Sequence, residues 1–409
     1  MPSLQIQTYT LSEGIELSFT DSGVPPGSAD YTTVVFLHGG IFNAYQFHKV
    51  HAHAHAQNLR TVLLHRRDYA GSTSYSATEI EELEQGSVSF WETLSAQVAQ
   101  FLEIFIERER IPKLTRKLSS SRETACSFIA TSVKENRGGN GGVAILAWSA
   151  GCSTVLSFLG GTQNPLISKE LYQLLQQYVG NCILYGQRFI SFFKTRLTKC
   201  HVPKDPTYLC FGYPLPSDNR NYIPWDDPTV STDELPQLVA EWVSSYYDHP
   251  CYDPVTRSLP STATINELDG IRLKSDRISI SSWTDEELVK GLEGSSAKNE
   301  TLAFQPSVQK TLRQLSEQAL FNETSVSNWF PGVGVSYIGG TRSNWMCAWA
   351  IIETKRRYLR TLFTGIEKNG RSYNIRKIRF VDMDGLNHVA HWDQTREFME
   401  VIAKEIQLL

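Results

Sequence analysis

Apolar and polar positions along the chain follow two periods. From Leu4 to Gly23 they alternate around Ser-Glu-Gly, the pattern of a half-exposed hairpin. Continuous apolar runs come next: TVVFLHGG (33–40), RTVLLHRR (60–67), VAILAW (143–148), NCILYG (181–186), VGVSYIGG (333–340) and IRKIRFVDM (375–383). Such runs suit strands buried on both faces. FWETLSAQVAQFLEIFIER (90–108) repeats its apolar positions at three- and four-residue spacing, and helical patterns recur near 233–247, 283–292 and 306–321. Strands alternating with helices predict an α/β protein with a mostly parallel central sheet flanked by helices.

The spacing of these elements is uneven. About 145 residues separate Gly186 from Val333, far beyond an ordinary connection. Residues 187–330 are therefore expected to form an inserted, mainly helical lid, with 1–186 and 331–409 as the two parts of the core. The stretch 117–142 is polar and rich in Ser and Gly, as expected of a surface loop or a partly disordered segment. No internal repeat is visible.

A chain of 409 residues, 41% hydrophobic and 11% aromatic, has material for one large domain with an inserted subdomain. Its 39 Lys and Arg stand against 43 Asp and Glu, and neither sign forms a long block, so nucleic acid is not an expected partner. No apolar run reaches the ~18 residues needed to span a bilayer. The start lacks a charged segment followed by an apolar one, and an intracellular, cytoplasmic location is expected. Seven scattered cysteines without C-x-x-C spacing read as reduced thiols rather than a disulfide frame or zinc site. In that setting the sequons at Asn299 and Asn322 are expected to stay unmodified. Nothing in the sequence speaks to oligomeric state.

Chemistry enters at AWSAG (147–151). A serine hydroxyl needs a base to take its proton and donors to stabilise the oxyanion that follows. A sharp strand-to-helix turn meets both needs: it lifts the hydroxyl above the sheet and leaves the next N–H free at a helix start. Small residues on either side, here Ala147 and Gly151, let the backbones pass closely. The alternative is that Ser149 merely caps the helix. His38-Gly39-Gly40, after the first long run, is the type of loop that supplies a second oxyanion donor, or else an ordinary Gly-Gly turn. Near the C-terminus, GLNH places His388 in a loop between a strand and an amphipathic helix.

Serine before histidine, each following a strand of one parallel sheet, is the α/β-hydrolase chain order. Through LHGG, RRDYAGST (66–73), AWSAG and GLNH the chain resembles the α/β-hydrolase superfamily over nearly its full length outside the lid. The resemblance implies Ser149 as nucleophile, His388 as base, and an oxyanion hole at Gly40, Ile41 and Ala150. It implies no cofactor and no metal.

The acid that should orient His388 is not where many relatives keep it, because no carboxylate lies between Gly340 and Glu353. The sequence looks most like fungal hydrolases from secondary-metabolite gene clusters, of the cytochalasan and host-selective toxin type, in which the strand before the lid runs into Asp-Pro and then G-Y-P. Here that arrangement is DPTYLCFGYPLP (205–216), so the resemblance makes Asp205 the acid. Its distance from ILYG (183–186) implies that 187–204 loops out or reflects an unrecognised splice, and 117–137 raises the same suspicion. A plain Asp-Pro turn is the alternative. Asp218, Asp226, Asp227 and Asp248 are lid alternatives, Asp384 and Asp393 suit turn and helix caps, and His391 is the rival base. His51 and His55, spaced i and i+4, lack an H-E-x-x-H context and read as helix-surface residues.

The expected function is a serine-type hydrolase acting on an ester, thioester or related carbonyl. Lid aromatics Trp225, Trp242, Tyr246 and Tyr247 suggest a bulky apolar small-molecule substrate, and the fungal resemblance implies secondary-metabolite biosynthesis. The same base and donors would also serve a condensation or cyclisation without an acyl-enzyme. A non-catalytic binding protein on this scaffold is the third reading.

Overall fold

The computed structural model describes residues 5–115, 140–161, 164–186, 207–208, 210–214, 216–231, 234–272, 277–294, 299–369 and 373–408. The suspected insertions 117–137 and 187–204 lie outside these residues, as does Asp205.

The apolar runs form strands where the pattern places them. They are β1 (Gln7–Thr10), β2 (Glu16–Asp21), β3 (Thr32–Leu37), β4 (Leu59–Leu64), β5 (Val143–Trp148), β6 (Val179–Tyr185), β9 (Gly334–Gly340) and β10 (Ile378–Met383), with a small ribbon of β7 (Thr207–Tyr208) and β8 (Tyr213–Pro214) set apart. The eight long strands make one sheet in the order β1-β2-β4-β3-β5-β6-β9-β10. The β1–β2 and β2–β4 pairings are antiparallel and the rest parallel. This is the expected α/β-hydrolase architecture. Every residue of β3, β4 and β5 is buried, which is why these strands read as unbroken apolar runs rather than alternating ones. Each fully buried Val, Leu or Phe there contributes roughly 1.5–3 kcal/mol.

The helices start and stop on their own chemistry. Ser87 caps the helix Val88–Glu109, accepting from the N–H of Ser89, and Arg110 ends it in the left-handed region. Helix Ala77–Gln85 opens with a Ser76/Glu79 capping box.

Between β6 and β9 the described chain includes helices Leu235–Ser244, Asp285–Gly291, Pro306–Leu320 and Glu323–Asn328. Pro306–Leu320 packs on Gly151–Gly160, the helix that follows β5. The approach is close: a Cβ on Gly160 would lie 2.5 Å from the Leu315 carbonyl oxygen. The segment around 222–279 is tied to the core by polar contacts. Asp393 Oδ2 accepts from Tyr246 Oη and Ser279 Oγ, both at 2.5 Å, and Asn387 Nδ2 donates to Ser244 O at 2.6 Å. Trp242, Tyr246 and Tyr247 are consumed in this packing and are buried.

Arg376 fastens the end of that long excursion. Its buried guanidinium donates to the carbonyls of Ala319 (2.7 Å), Phe330 (2.7 Å), Val333 (3.0 Å) and Trp329 (3.1 Å). Burial lowers its pKa to about 10, so it remains a cation at neutral pH, held by carbonyl dipoles. Replacing it with Met would strand those acceptors, each costing roughly 1–3 kcal/mol if left unsatisfied. Arg376→Met is expected to lower urea-unfolding stability by at least about 4 kcal/mol, whereas the same change at exposed Arg396 is expected to shift it by less than about 0.5 kcal/mol.

Candidate active site

β5 is the strand at the centre of the site. Its last residue, Trp148, hands the chain to Ser149 in the left-handed region, at φ 54°. A side chain held there is strained by about 1–3 kcal/mol, and surrounding structure must enforce it. The Ser149 N–H donates to Tyr185 O at 3.1 Å. Its carbonyl accepts from the Cys152 N–H at 3.0 Å and from Cys210 Sγ at 3.2 Å. The helix beyond is N-capped by Ala150 without a side-chain bond, so it does not start on Ser149 as a capping serine would dictate. Gly151 is indispensable: a Cβ there would lie 2.7 Å from the carbonyl oxygens of both Leu37 and His38. A Cβ on Gly39 would lie 2.8 Å from Ser149 Cβ and 2.5 Å from the Trp148 ring. Two glycines thus let the loop after β3 press directly on the serine turn.

His38 sets the shape of that loop. The Arg66 N–H donates to its Nε2 at 3.0 Å, which leaves Nδ1 protonated and donating to Gly39 O at 2.8 Å. Burial, reinforced by the Arg66 charge, holds its pKa well below the usual histidine value. It is therefore a neutral strut rather than a base. Ile41 follows at φ 56°, a marked outlier for a β-branched residue. Its N–H donates to Tyr69 Oη at 3.1 Å and its carbonyl accepts from the Glu293 N–H at 2.7 Å. Among the described residues, the N–H groups of Gly40 and Ala150 donate to no protein acceptor. Of the three expected oxyanion donors, Gly40 and Ala150 match that description, whereas the Ile41 N–H is committed to a tyrosine.

His388 arrives from the loop after β10. Asn387 anchors that loop through Ser244 O, Ser279 Oγ (2.8 Å) and the Val389 N–H (2.9 Å). The His388 carbonyl accepts from Trp148 Nε1 at 3.0 Å and from Tyr185 Oη at 3.1 Å. Its imidazole stacks on the Trp148 indole, ring centroids 4.7 Å apart and planes 29° apart. The structure thus brings His388 against the residue preceding Ser149. On the other side of the ring, Nδ1 lies 3.4 Å from Cys347 Sγ, and a Cβ on Gly186 would come within 2.8 Å of it.

Gly186 ends β6, the strand whose continuation is expected to carry the acid. Described chain resumes after 206 and reaches Ser149 at Cys210. Five of the alternative carboxylates have partners elsewhere. Asp393 holds Tyr246 and Ser279; Asp384 holds Tyr252 Oη (2.5 Å); Asp248 pairs with Arg342 (2.8 Å); Asp227 takes Thr229 and Tyr222; Asp218 takes Asn266. His391, the rival base, is wedged between Tyr185 Oη and Gln46 Oε1, each at 3.2 Å, and burial holds its pKa far below normal. His51 lies between the hydroxyls of Thr20 (3.1 Å) and Thr61 (2.6 Å) rather than on the helix surface, and His55 bonds Gly23 O.

Sequence reasoning missed three contributors. Cys347 and Gly186 bracket the His388 ring, and Glu300, paired with Arg66, lies against Gly40. Gly186 had a visible signal, a glycine ending an apolar run, but nothing near Glu300 in sequence marks it.

No family model matches the chain, and neither does any curated protein. Its fold is similar to that of solved structures at low identity. A Vigna radiata epoxide hydrolase variant is 11% identical over the whole of both chains, with a TM-score of 0.47. Potato (Solanum tuberosum) epoxide hydrolase I is 14% identical over 99% of this chain and 100% of that one, TM-score 0.46. An aryl esterase candidate from Burkholderia cenocepacia is 13% identical over 99% and 98%, TM-score 0.43.

The buried histidines make acid stability measurable. Burial depresses His51 and His65 to about 4, and His38 and His391 are also well below their usual value. Below about pH 6.5 the unfolded chain binds protons that these folded sites refuse, so stability present above that pH is lost as pH falls. Each such site contributes a slope of up to about 1.4 kcal/mol per pH unit between 6.5 and its folded pKa. Urea midpoints are expected to fall between pH 7 and pH 5, and the 15N resonances of His38 and His391 should not titrate over that range.

Proposed function

We propose that this chain is a serine-type hydrolase that forms an acyl-enzyme at Ser149. The observation that carries the reading is a strained serine at a strand-to-helix turn, with the His388 imidazole stacked on the residue before it. His388 takes the hydroxyl proton as Ser149 attacks an ester, thioester or related carbonyl, then returns it to the leaving group. The N–H groups of Gly40 and Ala150 receive the oxyanion. Asp205 orients His388. In support, Gly186, before it in sequence, lies against the His388 ring, and Cys210, after it, donates to the Ser149 carbonyl. The 187–330 segment serves as the lid over this site.

An aromatic file of Phe42, Trp283 and Trp392 leads away from Trp148, with successive centroids 5.6, 5.7 and 4.0 Å apart. The resemblance to fungal cluster hydrolases supports a place in secondary-metabolite biosynthesis.

A serine-directed fluorophosphonate is expected to label wild-type protein at Ser149 and abolish turnover of p-nitrophenyl esters. Ser149→Ala and His388→Ala should each lose roughly 10⁴–10⁶-fold in kcat with the fold intact by circular dichroism, and Asp205→Asn somewhat less. Ester turnover that survives Ser149→Ala overturns the reading. If Ser149 resists labelling and a cyclisation is lost in Ser149→Ala, the site promotes condensation without an acyl-enzyme.

A further inference from the structure

Arg66 and Glu300 form an ion pair in the wall of the site, each side chain only 10% exposed. Arg66 Nη2 also donates to Gly39 O at 3.1 Å. The Tyr69 hydroxyl donates to the Glu300 carboxylate while accepting the Ile41 N–H. A Cβ on Gly40 would collide with Glu300 Oε2 and lie 3.8 Å from Ala150 Cβ. The carboxylate therefore rests on Gly40, beside the backbone assigned to the oxyanion. Asn299, the preceding residue, is moored by Nδ2 to Asp68 Oδ2 at 2.9 Å.

Stability alone is a weak reason for this arrangement. Burying an ion pair costs several kcal/mol per ion in lost hydration, and apolar residues of equal volume often do as well or better. Burial pushes the Glu300 carboxyl up, with Arg66 and Tyr69 opposing it. What the geometry does specify is a receptor for one carboxylate. Arg66 supplies a cation and an N–H, Tyr69 supplies an O–H, and both need an anion to satisfy them. This receptor abuts Gly39 and Gly40, and a Cβ on the first of these would lie 2.8 Å from Ser149 Cβ.

We propose that Arg66 and Tyr69 form a carboxylate-binding subsite beside Ser149, that Glu300 fills it as an internal surrogate, and that a carboxylate carried by the substrate displaces Glu300. The substrate is then a monoester or thioester whose acyl part bears a second, anionic group a short distance from the reacting carbonyl. Its anion restores the charge balance that Arg66 loses when Glu300 leaves. The catalytic half of this inference rests on Ser149 acting as nucleophile; the anion-binding half does not.

Two measurements test it. Glu300→Gln keeps the side-chain volume and removes the charge, and Glu300→Ala empties the subsite. In sodium acetate, compared with sodium chloride at equal ionic strength, thermal midpoints of both variants are expected to rise by a few degrees and to saturate, while wild type does not respond. For turnover, the ratio of kcat/KM for p-nitrophenyl hemisuccinate to that for p-nitrophenyl butyrate is expected to rise at least about tenfold in Glu300→Gln, and to collapse when Arg66→Met is added. If one of the variants does not fold, the other carries both arms. No response to acetate beyond that to chloride overturns the anion site. A response to acetate with an unchanged ester ratio marks a structural ion pair and overturns the substrate subsite. If wild type and variants turn over neither ester, the hydrolase reading fails by itself, and the anion site stands or falls on the acetate response.

Discussion

The site depends on one constraint, the close passage of the loop after β3 over the turn after β5. Two backbones meet there with no room for a side chain, because Gly39 lies on Trp148 and Ser149 while Gly151 lies on the carbonyls of Leu37 and His38. Each half of the contact forces a non-glycine residue into the left-handed region, Ser149 on one side and Ile41 on the other. Together these conformations cost about 2–6 kcal/mol. The strands that enforce them are buried along their whole length, and burial of a single large apolar side chain offsets about as much as one strained residue costs. The sheet is thus the spring that holds the serine in a conformation it would not adopt alone.

Trp148 couples that turn to the far end of the chain. Its indole N–H fixes the His388 carbonyl and its face carries the His388 ring, so one side chain determines both the position and the tilt of the imidazole. Tyr185, at the end of β6, holds the same carbonyl and also accepts from the His391 N–H at 3.3 Å. Two neighbouring strands, β5 and β6, therefore converge on one loop residue more than two hundred positions away in sequence. The imidazole lies between the Trp148 indole, Gly186 and Cys347, so its position and tilt are set by contacts from three separate segments.

How far the sequence foretold this follows from which interactions are local. The strands at 143–148, 181–186 and 333–340 were legible because a strand buried on both faces leaves a continuous apolar run, and the structure begins or ends them within two residues of those bounds. Ser149 was legible because a strand-to-helix turn needs small neighbours, which show as Ala147 and Gly151. The choice of His388 over His391 rested on spacing alone. The structure separates them by environment, one lying against Trp148 at the serine turn and the other wedged between Tyr185 and Gln46. The partners of Glu300 were not legible, since they come from a segment 234 positions away and a buried ion pair leaves no periodic trace. Trp242, Tyr246 and Tyr247 are buried in packing, and the aromatic file leading from Trp148, built from Phe42, Trp283 and Trp392, left no separate mark in the sequence.

The Tyr69 hydroxyl links these two levels. It accepts the Ile41 N–H and donates its O–H to the Glu300 carboxylate, so the left-handed residue of the loop after β3 is linked to the carboxylate through a single oxygen. A polar network of this kind is specific only when every member is satisfied, because its buried groups cannot turn to water instead. Removing the carboxylate leaves Arg66 without its anion and Tyr69 without its acceptor, and Ile41 then sits in a strained conformation with a weakened tether. A carboxylate bound in its place would satisfy all three at once. The left-handed Ile41 and the buried Arg66–Glu300 pair are therefore linked through the single Tyr69 hydroxyl.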